Sequence, residues 1–260
     1  MMKVLNMKVS VKPDTRAKPL LVIQNVSVCH NKTPVLHDIS INVWPQQIVA
    51  IVGPNGAGKT TILKAVGGLI HPGKGKILLE GESIETLPVW DIVQRGIVYV
   101  PEGMSIFADM TVLENLEIGA YLCRHLIPER LEMVFALFPE LREKKHSYAS
   151  TLSGGQKRMV TLGRGLMSGA KLLLLDDPFL GLSPKIIKRF CDAFRTLRQS
   201  GVTLFIAGQH VRRILNVADM AFLLEDGNIT LSGPGKEVFH NSHLQRTLFG
   251  TTDVVSHLQD

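Results

Sequence analysis

Residues 53–60 read Gly-Pro-Asn-Gly-Ala-Gly-Lys-Thr, and no other segment restricts the possible folds as much. They fit G-x-x-x-x-G-K-[ST], behind a short apolar run at Gln47–Val52 and ahead of a helical pattern from Lys59 to Val66. Gly53, Gly56 and Gly58 let successive backbone N–H groups turn inward on phosphate oxygens, with Pro54, Asn55 and Ala57 completing the loop. The helix opened by Lys59, Thr60 and Thr61 adds the partial positive charge of its N-terminus. Lys59 can reach β- and γ-phosphates, and the Thr60 hydroxyl can ligate Mg2+. The segment predicts nucleotide binding and requires a strand–loop–helix unit.

Composition sets the outer bounds. The chain has 260 residues, of which 45% are hydrophobic and 20% charged, enough for a substantial core and without a disorder signature. A net charge of +6 is spread along the chain and gives no reason to expect a nucleic-acid partner. Cys29, Cys123 and Cys191 are odd in number and lack CxxC spacing, so a zinc site and a disulfide framework are not expected, and a reducing compartment is. No apolar run approaches the roughly 18 residues of a membrane span. The N-terminal stretch has no apolar core of a secretory leader.

Along the chain, residues 1–19 and 251–260 read as flexible tails around one domain at 20–250. Leu21, Val22, Ile23, Val26 and Val28, then Leu36, Ile39, Ile41 and Val43, predict two antiparallel strands with a turn near Asn31–Pro34. Lys76–Leu79 and Ile97–Val100 predict two more strands. Thr111-Val-Leu-Glu114 is a capping box and predicts a helix through about His125. Pro128 suits a first helical position, and Leu131, Val134, Phe135 and Phe138 then share an apolar face. This helical block, about 105–150 and reaching 168 with a helix at Gly154–Met167, reads as a subdomain inserted in the main fold. Strand Leu172–Leu175, a helix from Pro184, strand Val202–Ala207, helix Val211–Val217 and a hairpin turning at Asp226-Gly227 follow. Such alternation predicts a mainly parallel sheet with helices on both faces.

Two further motifs bear on function. Leu172-Leu-Leu-Leu175 leads into Asp176, a carboxylate that a buried parallel strand would deliver beside the loop, where it can hold Mg2+ through water. Leu152-Ser153-Gly154-Gly155-Gln156 is by itself a serine N-cap with a glycine turn. In this order the three motifs resemble those of ABC-type ATPases, over about residues 20–245. The resemblance implies an α/β P-loop NTPase core with a mainly parallel sheet, an antiparallel β subdomain and an inserted α-helical subdomain. It also implies ATP and Mg2+ as ligands. Ser153, Gly154, Gly155 and Gln156 would face the γ-phosphate held by a second copy, identical or sister, in a head-to-tail dimer. Small GTPases would need an NKxD motif after the loop, and Asn31-Lys32 precedes it without the Asp. Chromosome-organising relatives carry coiled-coil arms for which the stretch between Lys59 and Asp176 is too short. Translation-factor relatives carry two nucleotide domains per chain.

Val100-Pro-Glu-Gly103, Met110–Leu116, Gly163–Met167 and Phe179–Pro184 resemble the ATPase subunits of branched-chain amino-acid-type importers. That branch implies transmembrane permease partners at the cytoplasmic face of the bacterial inner membrane and, indirectly, a solute-binding protein. Export of a substrate such as lipopolysaccharide, or a nucleotide-dependent switch with poor hydrolysis, are the other readings. Glu102 would assist Mg2+ or water and sense the permease; Ile106 and Phe107 are docking candidates or core residues. His30 stands where an aromatic commonly stacks on adenine, and its smaller ring predicts weaker affinity unless it is merely a surface residue. The switch histidine of the wider family falls on Gln209, with His210 beside it. The general base, normally Glu, is Asp177, which predicts slow hydrolysis.

Overall fold

The structure is a computed structural model and describes residues 18–31, 33–103 and 105–250; of the tails expected at 1–19 and 251–260, residues 1–17 and 251–260 lie outside them. In chain order the elements begin with β1 (Leu21–His30), β2 (Thr33–Val43), β3 (Ile48–Val52), α1 (Lys59–Val66), β4 (Lys74–Leu79), β5 (Glu82–Ser83), α2 (Val89–Gln94) and β6 (Ile97–Val100). Four helices follow without a strand: α3 (Val112–Gly119), α4 (Ile127–Leu137), α5 (Pro139–Glu143) and α6 (Gly154–Met167). The remainder is β7 (Leu172–Asp176), α7 (Pro184–Gln199), β8 (Thr203–Ala207), α8 (Val211–Val217), β9 (Met220–Glu225), β10 (Asn228–Gly233), α9 (Gly235–Phe239) and α10 (Ser242–Phe249). No helix among the described residues is long and apolar enough to cross a membrane.

Two sheets form. An antiparallel one runs β2-β1-β4-β5, and a six-stranded one runs β10-β9-β3-β8-β7-β6, parallel except for β10 against β9. The parallel strands explain their own sequences. In β3, Ile48, Ala50 and Val52 enter one core cluster, while Val49 and Ile51 enter the other. Leu173 and Leu175 of β7, and Leu204 and Ile206 of β8, face the first cluster with α6, α7 and α8. Leu172, Leu174, Phe205 and Ala207 face the second, under α1 and the antiparallel sheet. A strand covered on both faces has no polar side to show, so its sequence is a continuous apolar run.

The helical insertion follows its capping signals but not its predicted length. Thr111 caps α3 as expected: its hydroxyl accepts from Glu114 N–H at 3.2 Å, and its own N–H donates to Glu114 Oε2 at 2.7 Å. The helix stops at Gly119, however, and not near His125. A 3-10 segment, Tyr121–Leu126, takes over, and Cys123 leaves helical geometry at φ −147°. Close packing on α6 accounts for the glycine at the end of α3. A Cβ at position 119 would sit 2.1 Å from the Arg164 carbonyl oxygen. Backbone cannot yield as a flexible side chain does, so Gly119→Ala should destabilise the protein by about 1–3 kcal/mol, read as a lower urea midpoint. An unchanged midpoint would show that α3 and α6 part easily.

Candidate functional site

In a parallel sheet the carboxyl ends of the strands share one edge, where ligands bind. Here Asp176 of β7 lies opposite Ala207 of β8, and Ala207 lies opposite Ile51 of β3. The glycine loop leaving β3, the acidic end of β7 and the Gly208-Gln209 turn after β8 therefore converge. They line a cavity of about 290 Å3, with Asn55, Gly56, Gly58, Lys59, Thr60 and Thr61 on one side. Glu102, Asp176, Asp177 and Gln209 face them across it. Gly58 turns the chain at φ +105°, and a Cβ there would meet Leu36 Cδ2 at 2.6 Å, so glycine is required. A roomier recess of about 550 Å3, around Glu80, Arg95, Cys123 and Lys171, contains none of these residues.

Lys59 lies across the loop, its ammonium donating to the carbonyls of Gly53 at 2.8 Å and Pro54 at 2.7 Å. Burial lowers its pKa, and the nearby Asp177 and Asp176 carboxylates oppose that shift. Thr60 Oγ1 donates to Asp176 Oδ1 at 3.0 Å, while the Tyr99 hydroxyl donates to Oδ2 at 2.8 Å. Burial first, then its bond to Asp176, keeps the Tyr99 phenol protonated well above the usual range. A hydroxyl and a carboxylate in contact, with the Glu102 carboxylate lining the same cavity, form a hard-oxygen set that suits Mg2+. Among the described residues no group of three or more His, Cys, Asp or Glu forms a metal cage. Magnesium needs only one or two protein oxygens, with phosphates and water completing its shell.

Asp177 is held in an unusual way. Its φ is +39°, in the left-handed region that Asp tolerates better than most residues, and its N–H donates to Ala207 O at 2.7 Å. Burial pushes its carboxyl pKa up; His210 and the Gln209 N–H pull down, and Glu102 and Asp176 push up again. Its Oδ1 has no hydrogen-bond partner, nor does buried His210 Nδ1, 3.9 Å away. Gln209 lines the cavity, whereas His210 does not and sets its ring edge-on to Phe179.

The other expected site residues lie elsewhere. Ser153 is exposed at the start of α6, where its Oγ accepts from Gln156 N–H at 3.3 Å and its N–H donates to Gln156 Oε1 at 3.0 Å. None of Ser153, Gly154, Gly155 and Gln156 lines the loop cavity. His30 is exposed opposite Thr33 at the end of β1, and Val35 is the nearby residue that reaches the cavity wall. Of the loop, Ala57 is buried, and its carbonyl accepts from Gly227 N–H at 3.1 Å. Reading the sequence passed over Tyr99, hidden in an ordinary strand pattern, and Arg158, whose charge suggests a solvated helix face but which is 4% exposed.

Residues 36–180 match the ABC transporter family. The chain is 38% identical to the high-affinity branched-chain amino acid transport ATP-binding protein BraG of Pseudomonas aeruginosa, covering 89% of this chain and 100% of BraG. It is 34% identical to the lipopolysaccharide export system ATP-binding protein LptB of Haemophilus influenzae, over 89% of this chain and 97% of that one. The crystal structure of the ADP conformation of MJ1267, an ATP-binding cassette of an ABC transporter, superposes with a TM-score of 0.79 at 26% identity, covering 90% of this chain and all of that one.

Two outcomes follow from the geometry. Lys59→Ala should weaken ATP binding by roughly 1.5–3 kcal/mol, the worth of a hydrogen bond to a charged group, on the order of tenfold or more in Kd by titration calorimetry. An unchanged Kd would place the phosphates elsewhere. Asp177 has a raised folded-state pKa, so its charge costs stability as pH climbs through that value. Asp177→Asn should therefore melt higher than the parent near neutral pH, with the gain shrinking on acidification. A lower melting temperature at every pH would contradict this.

Proposed function

The chain belongs to the ABC transporter family, and from that premise we propose that it binds ATP with Mg2+ and hydrolyses it to drive import of branched-chain amino acids or related small polar solutes. The observation that carries the ATPase reading is the convergence of Lys59, Thr60, Asp176 and Asp177 on one cavity. The import reading rests on the identity to BraG, 38% against 34% for LptB; export remains the second reading because LptB matches over a similar share of the chain.

Bound Mg2+ would supply charge stabilisation to the phosphates and be held by Thr60 and Asp176, with Glu102 facing it. Lys59 exchanges its bonds to Gly53 O and Pro54 O for phosphate oxygens. Loop N–H groups and the α1 N-terminus hold the remaining charge. Asp177 accepts the proton of the attacking water, and Gln209 offers its amide to the γ-phosphate side. Electrostatic stabilisation of this kind is the larger part of phosphoryl-transfer catalysis. In this reading a second copy, identical or sister, closes the cavity with its Ser153 and α6 N-terminus. Two such copies arranged head to tail beneath transmembrane permease subunits, on the cytoplasmic face of the membrane, complete the assembly. A solute-binding protein delivers cargo on the far side.

Asp177 sets the rate in this reading. Its side chain is one methylene shorter than Glu, and a withdrawal of roughly 1 Å can cost on the order of 10²-fold. Asp177→Glu should speed single-turnover hydrolysis, and Asp177→Asn should slow it while ATP still binds. Both variants turning over at the parent rate would remove Asp177 as the base. Uptake of labelled leucine by vesicles carrying the chain with its permease separates import from export.

A further inference from the structure

Helix α6 carries one charge into the interior. Arg158, one turn past Ser153, is 4% exposed, and its donors all go to main-chain carbonyls and none to a carboxylate. Nε donates to Pro178 O at 3.3 Å; Nη2 donates to Asp176 O at 3.3 Å and Asp177 O at 2.5 Å. Nη1 donates to Pro101 O at 3.4 Å and to Gly103 O. The guanidinium thus bonds the residues on either side of Glu102 to the two site aspartates and their following proline. A buried cation without a counter-ion is costly, and burial disfavours its charged form, opposed by the fields of Asp177, Glu102 and Asp176. An apolar side chain would fill the space more cheaply, so the cation is better explained by what it joins than by the stability it adds.

We propose that Arg158 is a positioning residue for hydrolysis: it locks the Glu102 loop and the Asp176–Pro178 turn to the helix that Ser153 caps, so that they move as one body. The proposal rests on the reading of this cavity as an ATP-hydrolysing site. Through this link, docking of Ser153 against a second copy sets the placement of Asp177, and a displacement of the Glu102 loop reaches α6. The bonds are made by a rigid planar fork with several donors, which a lysine ammonium cannot reproduce across both segments. None of these donors reaches the glycine loop, so nucleotide affinity is not under its control.

The test uses the purified transporter complex containing the full chain, its Arg158→Lys or Glu102→Gln variant or the double variant, with ATP and Mg2+. Arg158→Lys should keep the ATP Kd within about twofold and lower kcat by about tenfold or more, since small displacements of the base are that costly. In the Glu102→Gln background the same substitution should cost less than about twofold further, because both act on one unit. Amide exchange should quicken together in peptides covering Pro101–Gly103 and Asp177–Leu180 but not in the body of α6. A parent-like kcat, fully multiplicative losses, or loss of ATP binding together with kcat would each overturn the proposal. Should Arg158→Lys fail to fold, Arg158→Gln carries the same readouts. A parent chain without turnover would overturn the functional reading, and this proposal with it.

Discussion

The Thr60–Asp176 hydrogen bond, 3.0 Å long, joins residues 116 apart in sequence. It exists because β3, β8 and β7 run parallel in register, so that the loop after β3 and the carboxylate ending β7 emerge on the same edge of the sheet. Everything chemical in the molecule depends on that pairing. The antiparallel sheet lies over α1 and supplies Val35 to the cavity wall; the helical insertion hangs from β6 and β7 and carries Ser153 away from the loop. A slip of one residue in any of the three strands would exchange the two core faces and separate Thr60 from Asp176.

The cavity concentrates charges that the fold must hold in check. Asp176 is satisfied on both oxygens, by Thr60 and Tyr99, whereas Asp177 has an oxygen without a partner next to an equally unpartnered His210 nitrogen. Two neighbouring carboxylates thus differ in surroundings: one is held by two hydroxyl donors, and the other is desolvated with a raised pKa. Environments that separate adjacent acids in this way are how a site assigns distinct chemical roles to them. Lys59, meanwhile, is pre-placed by the loop's own carbonyls, so in the proposed reading phosphate binding would exchange hydrogen bonds and would not have to order a free side chain.

What was legible in the sequence were features enforced locally. The apolar runs of β3 and β7 are continuous because both faces are covered, and Thr111 and Ser153 announce their helices because capping is a matter of three neighbouring residues. The end of α3 was not legible: Tyr121-Leu-Cys-Arg is compatible with helix, and only the contact of Gly119 with α6 decides that the chain turns there. Position 210 shows the same limit, since a strand end fixes which of Gln209 and His210 lines the cavity only once the sheet is built. Arg158 was invisible for a different reason. A lone arginine in a helix reads as a solvated charge, and the carbonyls that hold it come from segments distant in sequence.

In this reading Asp176 and Thr60 open between them to take a cation that travels with the nucleotide. Calorimetric titration of the chain with ATP, once with Mg2+ and once with the metal chelated, tests it most directly. Mg2+ should tighten binding to the parent, and Asp176→Asn should abolish the increment while leaving metal-free binding in place. An Asp176→Asn chain that retains the full Mg2+ increment would contradict it.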